Sequence, residues 1–187
     1  MIEIRWHGRG GQGAKTAATL LAAAALHEGK RSQGFPEYGP ERMGAPIRGF
    51  TRIDDAPILL HCNIAEPQIV VVLDPTLIGV VDVTEGLDAE GTIVVNTIES
   101  PAGMRERLGL SGGKVCTIDA SGIALEELGR DIPNTVMMGA LCKVSEVLKL
   151  QTVKDDIVGK FEGRFSQKVI DGNLRAIDRA FEEVKVG

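Results

Sequence analysis

Hydrophobic and polar residues alternate at the start of the chain with the period of a β-strand. Ile2, Ile4 and Trp6 are apolar and are separated by charged residues, a pattern that predicts a half-buried strand. A run rich in alanine and leucine follows. Because these residues favour helices, it predicts a helix over residues 14–27 that ends at Gly29. The chain therefore begins as a strand, a short glycine-rich loop and a helix.

Three apolar runs further along the chain lack this polar alternation. Residues 69–73, 91–97 and 114–119 are rich in β-branched residues, as strands buried on both faces of a parallel sheet are. Helical periodicity and capping residues predict five further helices. These helices span residues 100–108, 120–128, 134–148, 153–161 and 169–184. The order of elements predicts an α/β fold with a doubly wound, mostly parallel sheet, helices on both faces and a helical C-terminal third.

An irregular segment separates the first helix from the next strand pattern. Residues 32–46 contain three prolines and three glycines, which exclude a continuous helix and argue against a strand. A loop of this length is usually either functional or disordered, and the interspersed Phe35, Tyr38 and Met43 favour a functional role. Residues 47–53 alternate as a strand, and residues 57–61 form a second short apolar run. We expect these two to pair as a hairpin, which would be an antiparallel insert near 47–61.

The glycine loop after the first strand has the spacing Gly8-x-Gly10-x-x-Gly13. This spacing is the fingerprint of dinucleotide-binding folds, in which glycines bring backbone N–H groups close to a phosphate at the start of a helix. A nicotinamide site also needs an acidic residue at the end of the next strand, and residues 31–35 contain none. Two interpretations stay open: the loop binds a nucleotide-type anion, or its glycines only let the helix pack closely on the strand.

Candidates for catalysis are few. His7 lies beside the glycine loop, whereas His61 and Cys62 are neighbours that would point to opposite faces of a strand. No hydrolase motif and no P-loop motif is complete, so we assign no catalytic residue and no metal ligand. The charged residues of the irregular segment are interpreted instead as fixing the loop and facing a partner.

Composition narrows the class of protein further. The 187 residues are expected to form one domain, and a net charge of −5 gives no support for binding nucleic acid or an anionic membrane. The sequence shows no apolar run long enough to span a bilayer and no signal-peptide pattern at its start. The three cysteines are far apart, which argues against a disulfide framework, zinc or an iron–sulfur cluster and favours a reducing cytoplasm.

Two motifs together resemble those of a known family. The first is HGRGGQG at residues 7–13, and the second is FPEYGPERMGAP at residues 35–46, read together with residues 48–52. In this order they are similar to motifs of the gamma subunit of pyruvate and related 2-oxoacid:ferredoxin oxidoreductases. The resemblance extends over most of the chain, through the strand at 70–74 and the helix at 134–148.

The resemblance implies a subunit of an enzyme. Such enzymes decarboxylate a 2-oxoacid on thiamine diphosphate with Mg²⁺, pass electrons through [4Fe–4S] clusters to ferredoxin and release acyl-coenzyme A. Pyruvate is the first expectation for the substrate, and 2-oxoisovalerate and other 2-oxoacids stay open. The thiamine diphosphate and the clusters belong to the alpha, beta and delta subunits, so the gamma chain is expected to carry no cofactor and to be inactive alone. It would pack over their active site and assist the access of coenzyme A.

By the same resemblance, two sets of residues are expected to act in the complex. The glycine loop is expected to contact coenzyme A through Gly8, Arg9, Gly10, Gly11, Gln12 and Gly13. A second set is expected to face the partner subunits or their active site, and it comprises Glu37, Tyr38, Gly39, Pro40, Glu41, Arg42, Met43 and Arg48. The alternative is an independent NAD(P)- or coenzyme A-binding α/β protein, which the glycine spacing alone also predicts.

Overall fold

A computed structural model describes residues 1–37 and 43–187 of the chain. The strands among these residues are β1 (Ile2–Arg9), β2 (Arg31–Pro36), β3 (Pro46–Asp54), β4 (Ile69–Val72), β5 (Thr92–Asn96), β6 (Lys114–Ile118) and β7 (Lys185–Val186). The helices are α1 (Ala14–His27), α2 (Pro101–Leu108), α3 (Ala120–Leu128), α4 (Asn134–Ser145), α5 (Leu150–Phe161) and α6 (Gln167–Glu183). A single 3₁₀ turn, Pro75–Leu77, follows β4.

The strands form one mixed sheet in the order β2-β3-β1-β4-β5-β6-β7. Strands β1, β4, β5 and β6 are parallel and form its centre. The pair β2–β3 is antiparallel and extends the sheet beyond β1, while β7 adds antiparallel to β6 at the other edge. The predicted α/β fold with a doubly wound sheet is confirmed, with its parallel strands buried on both faces.

One face of the sheet, here called the helical face, is covered by five helices. Side chains of β1, β4 and β5, among them Trp6, Val71 and Val94, pack there in one cluster with residues of α1, α3, α4, α5 and α6. Helix α1 lies unusually close to β2 and β3. A Cβ added to Gly34 would lie 2.8 Å from the Ala18 carbonyl oxygen, so only glycine leaves room for this approach.

The opposite face has two parts of different chemistry. Its first part, here called the apolar half, consists of side chains from β4, β5 and β6 that pack against Met104 of α2 and Leu77. These strand residues are Val70, Val72, Ile93, Val95 and Val115. Met104 is fully buried, so α2 closes a second, smaller hydrophobic core.

The second part, here called the polar half, lies on β2, β3 and β1. Alternate residues of a strand share one face, and the strand register aligns nine of them in three rows. The rows are Gln33–Arg52–Glu3, Phe35–Phe50–Arg5 and Glu37–Arg48–His7. Loops at residues 56–64 and 81–88 contact the arginines of this face. Among residues 1–37 and 43–187, the helix that packs on these strands is α1, on the helical face.

Several sequence predictions about this end of the sheet are wrong. Residues 32–36 form strand β2 instead of an irregular loop, because an edge strand tolerates the proline at its end. Residues 57–61 form no strand, and the partners of β3 are β1 and β2. Strand β1 is buried on both faces instead of one. The short strand β7 was not predicted, and helix α4 ends at Ser145, three residues early.

Candidate functional site

The glycine loop is braced by a network of side chains at the carboxyl ends of β1 and β4. The amide of Gln12 donates to Asp74 Oδ2 at 2.7 Å, and its carbonyl accepts from the Arg9 backbone N–H at 2.7 Å. Arg9 Nε lies 3.2 Å from the same carboxylate oxygen, and Arg9 also donates to the Thr76 hydroxyl and the Gly44 carbonyl. Arg9 and Gln12 therefore fix the shape of the loop.

The electrostatics of the loop centre on Asp74. Burial raises the pKa of Asp74, but hydrogen bonds from Thr76 and Gln12 and the charge of Arg9 outweigh this effect and hold the pKa below its ordinary value. The carboxylate is therefore ionised at neutral pH and attracts the two side chains that brace the loop. The glycine loop and Asp74 thus lie together at the carboxyl ends of β1 and β4.

The glycines of the loop serve packing and backbone conformation. Gly11 and Gly13 have φ of 101° and 84°, which side chains with a Cβ rarely adopt. Gly13 immediately precedes α1, and an added Cβ would lie 2.5 Å from Nδ2 of Asn134. Gly8 faces the start of α1, where an added Cβ would lie 3.2 Å from Ala14 Cβ. Gly10 pairs through its backbone with residues 44–45, which joins the loop to the chain before β3.

A cavity of about 430 Å³ opens beside the third row of the polar half. Its lining includes His7, Glu37, Arg48, Val81, Asp82 and Glu85. Arg48 binds Glu37 through two hydrogen bonds of 2.9 and 2.5 Å, and its Nη1 lies 3.7 Å from Glu85 Oε2. The hydrogen bond to Glu37 raises the pKa of Arg48. Two residues of the predicted interface set are thus joined in one ion pair at the cavity wall.

His7 lies at the floor of this cavity and is 2% exposed. Its Nε2 accepts a hydrogen bond from Arg5 Nε at 3.0 Å. Burial, together with the charges of Arg5 and Arg48, lowers the pKa of His7 to about 3. The imidazole is therefore neutral at physiological pH, with its proton on Nδ1. Its basic nitrogen, Nε2, is occupied by the hydrogen bond from Arg5, so the ring acts as a hydrogen-bond acceptor and not as a base.

Two buried arginines of the polar half were missed by sequence analysis. Arg5 and Arg52 are each 1% exposed. Arg5 Nη2 donates to the carbonyl oxygens of Val83 and Glu85. Arg52 donates to Glu3 at 2.6 Å and to Gln33 and Cys62 at 3.3 and 2.9 Å. The signal for Arg5 in the sequence is the polar series Glu3, Arg5 and His7 at alternate positions of β1. The signal for Arg52 is its spacing of four residues from Arg48 on the same face of β3.

The other predicted residues are placed as follows. Met43 is 88% exposed and forms an isolated bridge with Gly10, so it stands at the edge of the glycine loop. Five residues of the predicted interface set lie outside the described residues, and these are Tyr38, Gly39, Pro40, Glu41 and Arg42.

The cysteines do not fit a metal cluster. Cys116 and Cys142 are buried singly, and burial raises their pKa to about 11 and about 12. Cys62 is exposed on the loop above Arg52. Within residues 1–37 and 43–187, no three His, Cys, Asp or Glu side chains lie together in a way that suits a metal ion. No helix in the same part of the chain is both long and apolar enough to span a membrane.

The context of the glycine fingerprint differs from that of a nicotinamide-binding protein. In such proteins the helix after the glycines leads to a parallel strand beside the first one. Here α1 leads to β2, which is antiparallel to β3 and lies two places from β1 in the sheet. Strand β3 therefore separates the two parallel strands that the motif needs side by side, and the alternative of an independent NAD(P)-dependent protein is not favoured.

Comparisons with known proteins agree on one group. Residues 3–183 match the family model described as pyruvate ferredoxin/flavodoxin oxidoreductase. The pyruvate synthase subunit PorC of Thermotoga maritima is 48% identical over 184 residues, which is 98% of this chain and 95% of that protein. The common gamma subunit of the pyruvate/ketoisovalerate oxidoreductases of Thermococcus kodakarensis is 50% identical over 186 residues, which is 100% of this chain and 98% of that protein.

The fold agrees as well. The crystal structure of pyruvate oxidoreductase subunit PORC from Thermotoga maritima matches with a TM-score of 0.88 and 46% identity. The match covers 100% of this chain and 98% of that one. The backbone fold is thus shared with that subunit along the whole length of this chain.

Proposed function

Because the chain belongs to the pyruvate ferredoxin/flavodoxin oxidoreductase family, we propose that it acts as the gamma-type subunit of a 2-oxoacid:ferredoxin oxidoreductase. The observation that carries this proposal is identity of about one half with such subunits over nearly the full length of both chains. The 187 residues act as one gamma-type domain. The complex oxidises pyruvate with coenzyme A to acetyl-coenzyme A and CO₂, and passes the electrons to ferredoxin.

The partners of the chain are the alpha, beta and delta subunits of the complex, and we place the assembly in the cytoplasm. These subunits hold the thiamine diphosphate, its Mg²⁺ and the [4Fe–4S] clusters, which supply the decarboxylation and the path for electrons. The chemistry of this chain supports that division. Its cysteines are scattered, and the imidazole of His7 is held neutral with Arg5 as its partner.

The chain's own contribution is to position groups around the partners' active site. The segment from Glu37 to Met43, together with Arg48, faces the partner subunits. The ion pair of Glu37 and Arg48 supports this role, because it anchors the start of the segment to β3, while Met43 at its other end bridges to Gly10.

The glycine loop contacts the phosphates of coenzyme A. Gly11 and Gly13 adopt positive φ at the start of α1, where backbone N–H groups favour anions. The bracing by Arg9, Gln12 and Asp74 holds the loop in one shape before the ligand arrives, which lowers the entropic cost of binding.

The first experiment tests the subunit role. The four subunits are co-expressed anaerobically with a tag on this chain, and iron, thiamine diphosphate and pyruvate-dependent reduction of ferredoxin are measured in the tagged fraction. We expect all three in the complex and none in the chain alone. A tagged chain that stays alone when the other three subunits assemble and reduce ferredoxin without it would contradict the proposal.

A second experiment tests the contact with coenzyme A. Arg9→Gln alters the brace of the glycine loop, and Lys30→Gln is the control at the far end of α1. We expect Arg9→Gln to raise the KM for coenzyme A at least fivefold, with the KM for pyruvate unchanged. An equal change in both variants, or a change in the KM for pyruvate alone, would place coenzyme A elsewhere.

A further inference from the structure

The two loops that cover the polar half come from the most acidic stretch of the chain. Residues 53–104 contain nine Asp or Glu residues and no Lys or Arg. Six of these acidic side chains are exposed, and they are Asp55, Glu66, Asp82, Glu85, Asp88 and Glu90. Asp55 pairs with Lys30, and Glu85 lies near Arg48. Most of the negative potential over this surface therefore comes from Glu66, Asp82, Asp88 and Glu90.

The same loops expose large apolar side chains. Leu59 is 82% exposed and Leu60 is 44% exposed on the loop above β2 and β3. Val80, just before the loop above β1, is 62% exposed. Single exposed apolar residues are ordinary, but two adjacent exposed leucines, in the same chain segment as the exposed acids, are typical of a contact surface with an apolar centre and a polar rim.

Buried arginines hold these loops from below. Arg52 reaches up from β3 and donates to the Cys62 carbonyl at 2.9 Å, and Gln33 of β2 donates weakly to the Ile58 carbonyl at 3.5 Å. Arg5 reaches up from β1 to the carbonyls of residues 83 and 85. Hydrogen bonds from charged donors are strong, so the exposed leucines and acids are presented in a fixed arrangement that loses little entropy on docking.

The charged residues of the cavity beside His7 favour a positively charged occupant. Among the lining residues within 1–37 and 43–187, three carry carboxylates, namely Glu37, Asp82 and Glu85, and one, Arg48, is a cation. A volume of about 430 Å³ leaves room for one long side chain. A guanidinium or ammonium group at its mouth would meet Asp82 and Glu85, which are both exposed.

We propose that the polar half, with its loops at 56–64 and 81–88, is the docking surface for a partner subunit that presents Lys or Arg side chains around an apolar centre. One basic side chain enters the cavity, and apolar residues cover Leu59 and Leu60. The proposal rests on the proposed function, since it assumes that the chain is a subunit. A second copy of this chain is a poor occupant, because a two-fold contact would set this acidic face against itself.

The test uses two pairs of matched variants in the co-expressed complex. Leu59→Ser with Leu60→Ser removes the apolar centre, and Leu26→Ser with Leu125→Ser removes two exposed leucines of the helical layer. Asp82→Asn with Glu85→Gln removes the two negative charges at the mouth of the cavity. Its control is Glu162→Gln with Glu182→Gln, which removes the charges of two exposed acids, one at the end of α5 and one in α6. The dissociation constant of each chain from the purified remaining subunits is measured between 50 and 500 mM salt, a range of roughly tenfold in ionic strength.

We expect both variants of the polar half to raise Kd at least tenfold, with the melting temperature of the isolated chain unchanged. The variant at Asp82 and Glu85 should also flatten the dependence of Kd on salt, because fewer charges are screened. The helical-layer variants should stay within twofold of the wild type.

The opposite pattern would overturn the inference: normal Kd in the polar-half variants and weak binding in the helical-layer variants. That result would leave the subunit role intact, because the wild-type chain would still assemble. Failure of the wild-type chain to bind the other subunits would reject the subunit role and this surface together.

Discussion

The face of the sheet opposite the helical layer is built in two different ways. In the apolar half, Val70, Ile93 and Val115 from adjacent strands meet Met104 of α2, and all four side chains are fully buried. In the polar half the same face presents arginines, glutamates and a neutral histidine, and loops cover it. A hydrophobic core and a buried polar network therefore lie side by side on one sheet.

The difference shows what each half contributes. Buried apolar area stabilises a fold by about 25 cal/mol per Å², so the apolar half supplies free energy of folding. A buried guanidinium must first lose its hydration, and its hydrogen bonds at best offset that cost. What Arg5 and Arg52 provide is the position of two loops and of the residues that these loops expose. We therefore expect stability to reside in the apolar half and surface geometry in the polar half.

The largest effect is expected in the apolar half. Ile93→Ala removes a fully buried side chain of β5 and leaves a space beside Met104, so it should lower the free energy of unfolding by about 2–5 kcal/mol. Urea denaturation of the isolated chain measures this change. The control is Leu59→Ala on the exposed loop of the polar half, which should stay within about 0.5 kcal/mol of the wild type. Equal losses in both variants would mean that the loop is part of the core.

The next effect concerns the buried arginine of β3. Arg52→Met leaves Glu3, Gln33 and the Cys62 carbonyl without their donor, so the free energy of unfolding should fall by about 3 kcal/mol. Amide hydrogen exchange should also quicken at residues 56–64, because the loop loses its attachment. Faster exchange confined to residues 56–64 would show that Arg52 positions this loop, whereas faster exchange throughout the chain would show general destabilisation.

A double variant sharpens this prediction. When Glu3→Met is added to Arg52→Met, the partly buried carboxylate of Glu3 is no longer left without a partner, and about half of the lost stability should return. Hydrogen exchange in the loop should stay fast, because its donor is still missing. Slow exchange in the double variant would show that Arg52 does not hold the loop.

The sequence predicts the apolar half far better than the polar half. The run 69–73 is unbroken and β-branched, and such a pattern has one good structural solution, a buried parallel strand. Helix α2 was likewise predicted over residues 100–108, and the structure has Ser100 as its N-cap and Pro101 in its first turn. Local sequence patterns are sufficient to predict an element when its buried residues are hydrophobic and when capping residues mark where it begins and ends.

The polar half depends on contacts that local patterns do not contain. Gly34 and Pro36 argue against a strand, yet β2 is an edge strand and its glycine faces α1. A charged residue such as Arg52 is normally exposed, and its burial depends on the Cys62 carbonyl and on Glu3, which lies 49 residues away. For the candidate site, the sequence named the Glu37–Arg48 region and the glycine loop, but not the arginines beneath the covering loops.

A pH measurement tests whether His7 belongs to the buried polar network. The pKa of His7 falls from 6.5 to about 3 in the folded chain, so below pH 6.5 the unfolded chain takes up a proton that the folded chain does not. Stability should therefore decrease as pH falls from 6.5 towards 3. At pH 5 the loss is about 2 kcal/mol relative to pH 7. His7→Gln should lack this part of the decrease, and equal pH profiles for both proteins would show that His7 titrates normally.

The smallest effect concerns the helical face behind the polar half, where α1 lies against β2. A Cβ at Gly34 would stand 2.8 Å from the Ala18 carbonyl oxygen and from the Thr19 Cα. Because both are backbone atoms of one helix, α1 would have to move as a unit. Gly34→Ala should therefore lower the free energy of unfolding by about 1–2 kcal/mol, as measured by urea denaturation. Gly159→Ala in α5, where an added Cβ meets nothing within 4 Å, should instead raise it by about 0.5–1 kcal/mol, since alanine favours the helix. If Gly34→Ala also stabilised the chain, close packing of α1 on β2 would not depend on the absence of a side chain at Gly34. The support of the polar half would then come from its buried arginines alone.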